Sequence, residues 1–189
     1  MHRKWILASL LTTAGLAQAQ SLNFNVDPAH TFSYFEIRHN GTSTIRGRFD
    51  KKEGTVALDR TAKTGKADIT IDVSSLSTGV APLDAHLKTK DFFNAAEFPT
   101  IRFVGDAFSF DAGKVTAVAG TLTLLGKTLP ATLKATYFNC YENARLKREV
   151  CGGDFETTIL RSAYGMTNAL PRIPDEVTIK IQIEAIRAD

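Results

Sequence analysis

The sequence predicts an all-β fold, an antiparallel barrel interrupted by one short helical segment near residues 82–96. Three observations carry this. Apolar and polar residues alternate with period two in run after run, short polar turns separate the runs, and a single stretch, Asp84 to Phe103, breaks the alternation. A meander of about nine such runs can close on itself and remove its edges, and a barrel of roughly eight strands leaves an interior wide enough for one ligand. A two-sheet sandwich is the competing architecture.

The runs follow in order. Between Thr31 and His39, the residues Ser33, Phe35, Ile37 and His39 fall on one side of a strand, with Phe32, Tyr34, Glu36 and Arg38 on the other. Asn40-Gly41 supplies a turn, after which Ile45, Gly47 and Phe49 resume the first side and Val56 with Leu58 begins another short strand. Ala67, Ile69, Ile71 and Val73 alternate with Lys66, Asp68, Thr70 and Asp72, the pattern of a sheet with one wet face. Beyond the interruption the pattern returns in Ile101 and Phe103, in Phe108 and Phe110, from Val118 to Leu124 and from Leu129 to Ala135. It is clearest in Val177, Ile179, Ile181, Ile183 and Ala185.

The interruption has helical features. Leu83 and Leu87 stand four apart on one helical face, Pro82 suits a first turn, and Asp91 is placed to cap a second turn holding Phe92 and Phe93. A Phe-rich plug beside a β domain either completes a core or covers an apolar ligand.

The first nineteen residues read as a secretory leader, with Arg3 and Lys4, an apolar run from Trp5 to about Leu16, and Ala17-Gln18-Ala19 as the cleavage pattern. Residues 20–189 then form one soluble domain, periplasmic or secreted. Removing two leader cations from 23 basic and 20 acidic residues leaves 21 against 20. With no basic cluster, a nucleic-acid partner is not expected. Cys140 and Cys151 are an even pair in an exported chain, and a disulfide is the expected reading over a redox pair or a zinc site.

Chemistry-bearing patterns are sparse. His30, His39 and His86 show no H-x-x-x-H spacing, so no metal site is expected, and no G-x-S-x-G or phosphate loop is present. His30 suits a turn with Asp27, and His86 suits local hydrogen bonds beside Asp84. Asp68 and Asp72 lie on a polar strand face and read as solvation. His39 ends an apolar strand face, where it could meet a ligand's head; a hydrolase using His39 or His86 is a minor alternative. The stronger lead is twelve phenylalanines, all after the leader, on faces that converge on one interior.

Four blocks in order carry a resemblance: DPAHTFSYFEIRHNGTSTIRGRF from Asp27 to Phe49, SLSTGVAPLDAHLKTKDFFNAAEFPTIRF, VAGTLTLLGKTLPATL, and RSAYGM from Arg161 to Met166. Together they resemble the YceI-like family of exported, lipocalin-like proteins that bind polyisoprenoids and related amphiphiles. The resemblance implies an extended barrel with a helix near one end, a long apolar tunnel, and a disulfide-bearing subgroup for Cys140 and Cys151. The function expected from the residues and the resemblance together is a carrier of an isoprenoid lipid without catalytic residues or a resident cofactor, as a monomer or dimer, with a quinone holder in support of a membrane cytochrome as the alternative.

The lining expected on this basis comprises Phe35, Ile37, Ile45 and Phe49 from the first strands and Ile69 and Ile71 from the next. Leu87, Phe92 and Phe93 come from the plug, and Phe103, Leu122 and Leu124 from the strands after it. His39 and Arg161 are the candidates for a polar head, with Arg161 able to grip a phosphate if it points inward.

Overall fold

The computed structural model describes residues 21–189, so the leader expected over residues 1–19 lies outside the described residues. Eleven antiparallel strands form one sheet that closes into a barrel. The first strands are β1 (Leu22–Val26), β2 (Phe32–His39), β3 (Ser43–Phe49), β4 (Lys52–Asp59), β5 (Thr64–Asp72) and the two-residue β6 (Leu76–Ser77). Helix α1 (Ala81–Leu87) and its following turns lead to β7 (Thr100–Asp111), β8 (Lys114–Leu124), β9 (Lys127–Asn143), β10 (Arg148–Leu160) and β11 (Glu176–Arg187).

Eleven strands make eight staves. β1 pairs with β11 over Ala185–Arg187 and β2 continues along the same strand over Thr178–Gln182, so β1 and β2 are one stave broken at Asp27–Thr31. Their partners β4 and β3 form a second broken stave, and β5 with β6 a third. The breaks are joined sideways: the Asp50 amide donates to the Ser75 carbonyl and the Asp72 amide to the Lys51 carbonyl. At stave level the chain is the up-and-down meander that alternation predicts, and closure leaves each stave paired on both sides.

Local chemistry explains the breaks. Asp27 accepts from the Ala29 amide at 2.9 Å and from His30 Nδ1 at 2.7 Å, turning the chain out of the ladder. Asp72 accepts from the Ser74 amide at 2.8 Å and starts a single 3-10 turn, Val73–Ser75. Lys52 bridges this level from outside, donating to the Asp50 carbonyl while its ammonium lies 4.0 Å from the Phe32 ring centre. The Asn40-Gly41 turn forms as expected, both residues having positive φ (49° and 68°), as a type I′ turn requires.

Two expectations are corrected. The strand count exceeds nine because β1, β6 and β10 are additional, whereas the two runs around Phe103 and Phe108 are one strand, β7. Gly152 and Gly153 lie inside β10, where a Cβ would stand 2.2 Å from the Ile183 carbonyl oxygen or 2.1 Å from that of Tyr137. The helix is shorter than residues 82–96. It ends at Leu87, and the amides of Phe92, Phe93 and Asn94 fold back onto the carbonyls of Thr89, Leu87 and Thr89, placing Phe92 and Phe93 in turns closed by backbone bonds rather than by Asp91.

The barrel is solid at one end. Phe24, Leu58, Val115, Val118 and Phe155 are buried there, with Phe108, Phe110 and Phe138 packed against them. Cys140 and Cys151 are direct cross-strand partners in the β9–β10 hairpin and form the expected disulfide. Most charged side chains are exposed, Lys52, Asp59 and Arg161 being buried, and Asp68 is bound by Arg102 through two bonds of 2.8 and 2.5 Å rather than merely solvated. No helix among the described residues is long and apolar enough to cross a membrane.

Candidate functional site

The other half of the barrel encloses a cavity of about 280 Å³. Its wall comes from the ends of staves that meet α1: Phe35, Ile37, Ile45 and Phe49 from β2 and β3, Ile71 from β5, and Ile101 and Phe103 from β7. Leu122, Leu124, Ala131 and Leu133 from β8 and β9 complete one side, and Ile159, Val177, Ile179 and Ile181 from β10 and β11 the other. The resemblance implies a long tunnel; here the hollow occupies the end nearest α1. Aromatics and the disulfide fill the opposite end, whereas here the Phe, Ile and Leu side chains, with Ala131 among them, leave space unfilled.

The plug is held by its aromatics. The Phe93 ring centre lies 5.9 Å from that of Phe35 and 5.4 Å from that of Phe49, edge-on to the latter, and Phe35 and Phe49 are 6.1 Å apart. Such contacts are each worth about 0.5–1.5 kcal/mol beyond area burial. Phe98 packs on the β8–β9 turn, so close that a Cβ on Gly126 would stand 2.8 Å from its ring. Asp84 ties the helix start to β6, accepting from the Thr78 amide and hydroxyl, both at 2.6 Å. His86 takes another role than the local bracing its spacing suggests: its imidazole lines the cavity with its ring 4.9 Å from that of Phe92.

Arg161 corrects a second expectation. It is 2 % exposed, and four of its five N–H groups are committed to backbone carbonyls. Nε donates to Pro174 at 2.9 Å, Nη1 to Met166 and Asn168 at 3.0 and 2.8 Å, and Nη2 to Ile173 at 3.0 Å. The guanidinium borders the cavity but braces the loop between the 3-10 turn Arg161–Tyr164 and β11, leaving no fork for a phosphate. Burial pushes its pKa below the ordinary value, with Asp175 acting the other way. Asp175 accepts from the Ser162 amide at 2.8 Å and hydroxyl at 2.6 Å, and these bonds hold its carboxyl below the usual range.

The remaining expected lining residues stand at the cavity with one exception. Ile69 is on the inward side of β5, but its Cδ1 packs over Gly54, 2.8 Å from where a Cβ there would stand, below the hollow. His39 is exposed at the mouth, its ring beside the Asn40 side chain at 3.4 Å. The sequence reading omitted the wall from β9 to β11, although Ile179 and Ile181 belong to the most regular run in the chain. It also omitted Met166, Ala169, Arg172 and Ile173, which reach the cavity from the loop that Arg161 holds. No periodic signal marks that loop.

With this geometry in view, similarity to known proteins is informative. A family model described as the YceI-like domain matches residues 24–185. Protein YceI of Salmonella arizonae is 30% identical over 182 residues, covering 96% of this chain and 94% of that one. Burkholderia cenocepacia BcnA aligns with a TM-score of 0.68 at 28% identity, covering 84% of this chain and 98% of BcnA. A polyisoprenoid binding domain from Saccharophagus degradans shares the fold, with a TM-score of 0.62 at 18% identity over 88% of this chain and 99% of that domain.

Proposed function

The chain belongs to the YceI-like family, and we propose that it is an exported periplasmic carrier that encloses the tail of a polyisoprenoid or similar long-chain amphiphile, with no covalent chemistry of its own. The observation that carries this is the apolar hollow under the plug, walled by Phe, Ile and Leu. A neighbour in fold described as binding polyisoprenoid supports the choice of tail. Each buried CH₂ contributes about 0.8 kcal/mol, so ten buried carbons supply about 8 kcal/mol before the cost of ordering the chain. An isoprenoid quinone, handed to a membrane cytochrome, would use the same wall.

Mass spectrometry of lipids extracted from protein purified from its native host tests the reading, with Ala131→Phe as the comparison. Ala131 lines the hollow, so a ring there occupies the space of the tail. The unaltered protein is expected to yield a long-chain amphiphile, and the variant at least about tenfold less at an unchanged melting temperature, a loss of about 1.4 kcal/mol or more in binding. No lipid in repeated preparations, or equal lipid in both proteins, overturns the reading.

A further inference from the structure

The polar side chains that line the cavity are not a random sample of the surface. Among the described residues its titratable lining consists of Arg38, His39, His86, Arg161 and Arg172, with Tyr34, and includes no Asp or Glu. Among the carboxylates of the adjoining segments, Glu36 is engaged by Arg46 and Lys180, Asp84 by Thr78 and Asp175 by Ser162, while Asp91, Glu156 and Glu176 stand next to lining residues without themselves lining the cavity. Several arginines on the outer wall are matched with acids, as in Arg46–Glu36, Arg48–Asp50, Arg60–Glu149 and Arg102–Asp68, although Arg145 and Arg187 form no ion pair among the described residues. Arg38 and Arg172 are set apart by position. Both are exposed at the cavity, and among the described residues neither forms an ion pair. Arg38 makes one long contact, 3.5 Å, to the Thr42 carbonyl, which leaves its fork available.

We infer that Arg38 and Arg172, flanked by His39 and His86, form a cationic collar that selects amphiphiles with an anionic head, a phosphate, pyrophosphate or carboxylate, over neutral ones with the same tail. The inference rests on the proposed tail-binding cavity and assigns its head-group specificity. The buried Arg161 adds positive potential from within, its charge being solvated by carbonyls rather than cancelled by a contacting carboxylate. A guanidinium meets a phosphate or carboxylate through paired N–H donors, and a neutral alcohol or quinone oxygen offers no charge for that fork.

The test uses matched tails: farnesol, farnesyl phosphate and farnesyl diphosphate binding to the delipidated protein by calorimetry, with inorganic pyrophosphate as the free-anion control. The phosphorylated ligands are expected to bind at least about tenfold more tightly than farnesol, an advantage that shrinks with added salt. In Arg38→Gln/Arg172→Gln the affinity ratio of phosphate to alcohol should fall to within about threefold, whatever the change in absolute affinity, at an unchanged melting temperature. Equal affinity for farnesol and its phosphates overturns the collar and leaves the tail cavity standing. Inorganic pyrophosphate binding as tightly as farnesyl diphosphate overturns it in favour of a free-anion site. Failure of every prenyl ligand to bind refutes the cavity reading and the collar with it.

Discussion

Replacing Arg161 separates a brace from a ligand grip. Four carbonyls spread from Met166 to Pro174 depend on one guanidinium. In Arg161→Met each would lose a charged donor, at about 1–3 kcal/mol apiece if all stayed buried. Because the loop can turn some of them to water, the net loss should resemble that of breaking a buried charged contact, about 3–5 kcal/mol. For a domain of this size about 1 kcal/mol moves the melting temperature by roughly 2–4 °C, so a fall of about 6–20 °C is expected. Arg161→Lys sharpens the test. Lysine keeps the charge but has one ammonium, unable to reach four acceptors in different directions, so it should lose most of the same stability. Thermal unfolding followed by circular dichroism, with urea denaturation for the free energy, measures both variants. A loss below about 1 kcal/mol in either one refutes the brace.

Two further outcomes follow from contacts away from the cavity. Removing the disulfide with Cys140→Ala/Cys151→Ala should cost up to about 3 kcal/mol in urea denaturation, the loop-closure value for a separation of 11 residues; an unchanged midpoint would show that the β9–β10 hairpin already supplies the whole constraint. The Asp27–His30 contact should be visible in pH. The hydrogen bond to Asp27 and its charge raise His30 above its ordinary 6.5, while for Asp27 burial acts upward but is outweighed by bonds from His30 and the Ala29 amide, which hold it below 3.8. The raised His30 contributes stability that is full below its unfolded pKa and lost as pH rises through its folded one. The lowered Asp27 contributes stability present above its unfolded pKa and lost as pH falls through its folded one. The contact is therefore fully effective between about pH 4 and 6.5. NMR titration of the His30 ring should give a midpoint above 6.5 that drops in Asp27→Asn, and an unmoved midpoint would sink the assignment.

The wall was legible where one strand face is wet and the other dry. β5 and β11 announce themselves because Ile69 and Ile71, or Ile179 and Ile181, alternate with charged and hydroxyl residues. β10 has no comparably clean alternation, and the close backbone approach that Gly152 and Gly153 permit is visible only once Ile183 and Tyr137 are placed beside them. Period two also distinguishes in from out but not depth along the barrel. Ile69 and Ile71 are equivalent in pattern, yet Ile71 borders the hollow and Ile69 lies over Gly54. Arg161 was readable as a singular residue but not as a brace, since its acceptors are backbone atoms of a loop with no sequence signature. The cationic mouth was missed for a similar reason: Arg38 falls on the outward side of its strand by alternation, and only the end of β2 brings it to the opening.

Where neighbouring staves are laddered, as β8 and β9 are from Ala117 to Leu124, the wall cannot part without breaking a run of hydrogen bonds, whereas beside the hollow β9 pairs with β10 only as far as Lys134 and Glu156, and β6 pairs with β3 alone. Helix α1, by contrast, has no fully buried residue, and the chain from residue 81 to the start of β7 is tied down mainly by Phe93 and Phe98 at one side and Asp84 at the other. If a tail is held as proposed, its residence time is expected to follow how often Phe93 leaves the rings of Phe35 and Phe49. Tightness of holding belongs to the wall and speed of exchange to the plug, so the two can be altered independently.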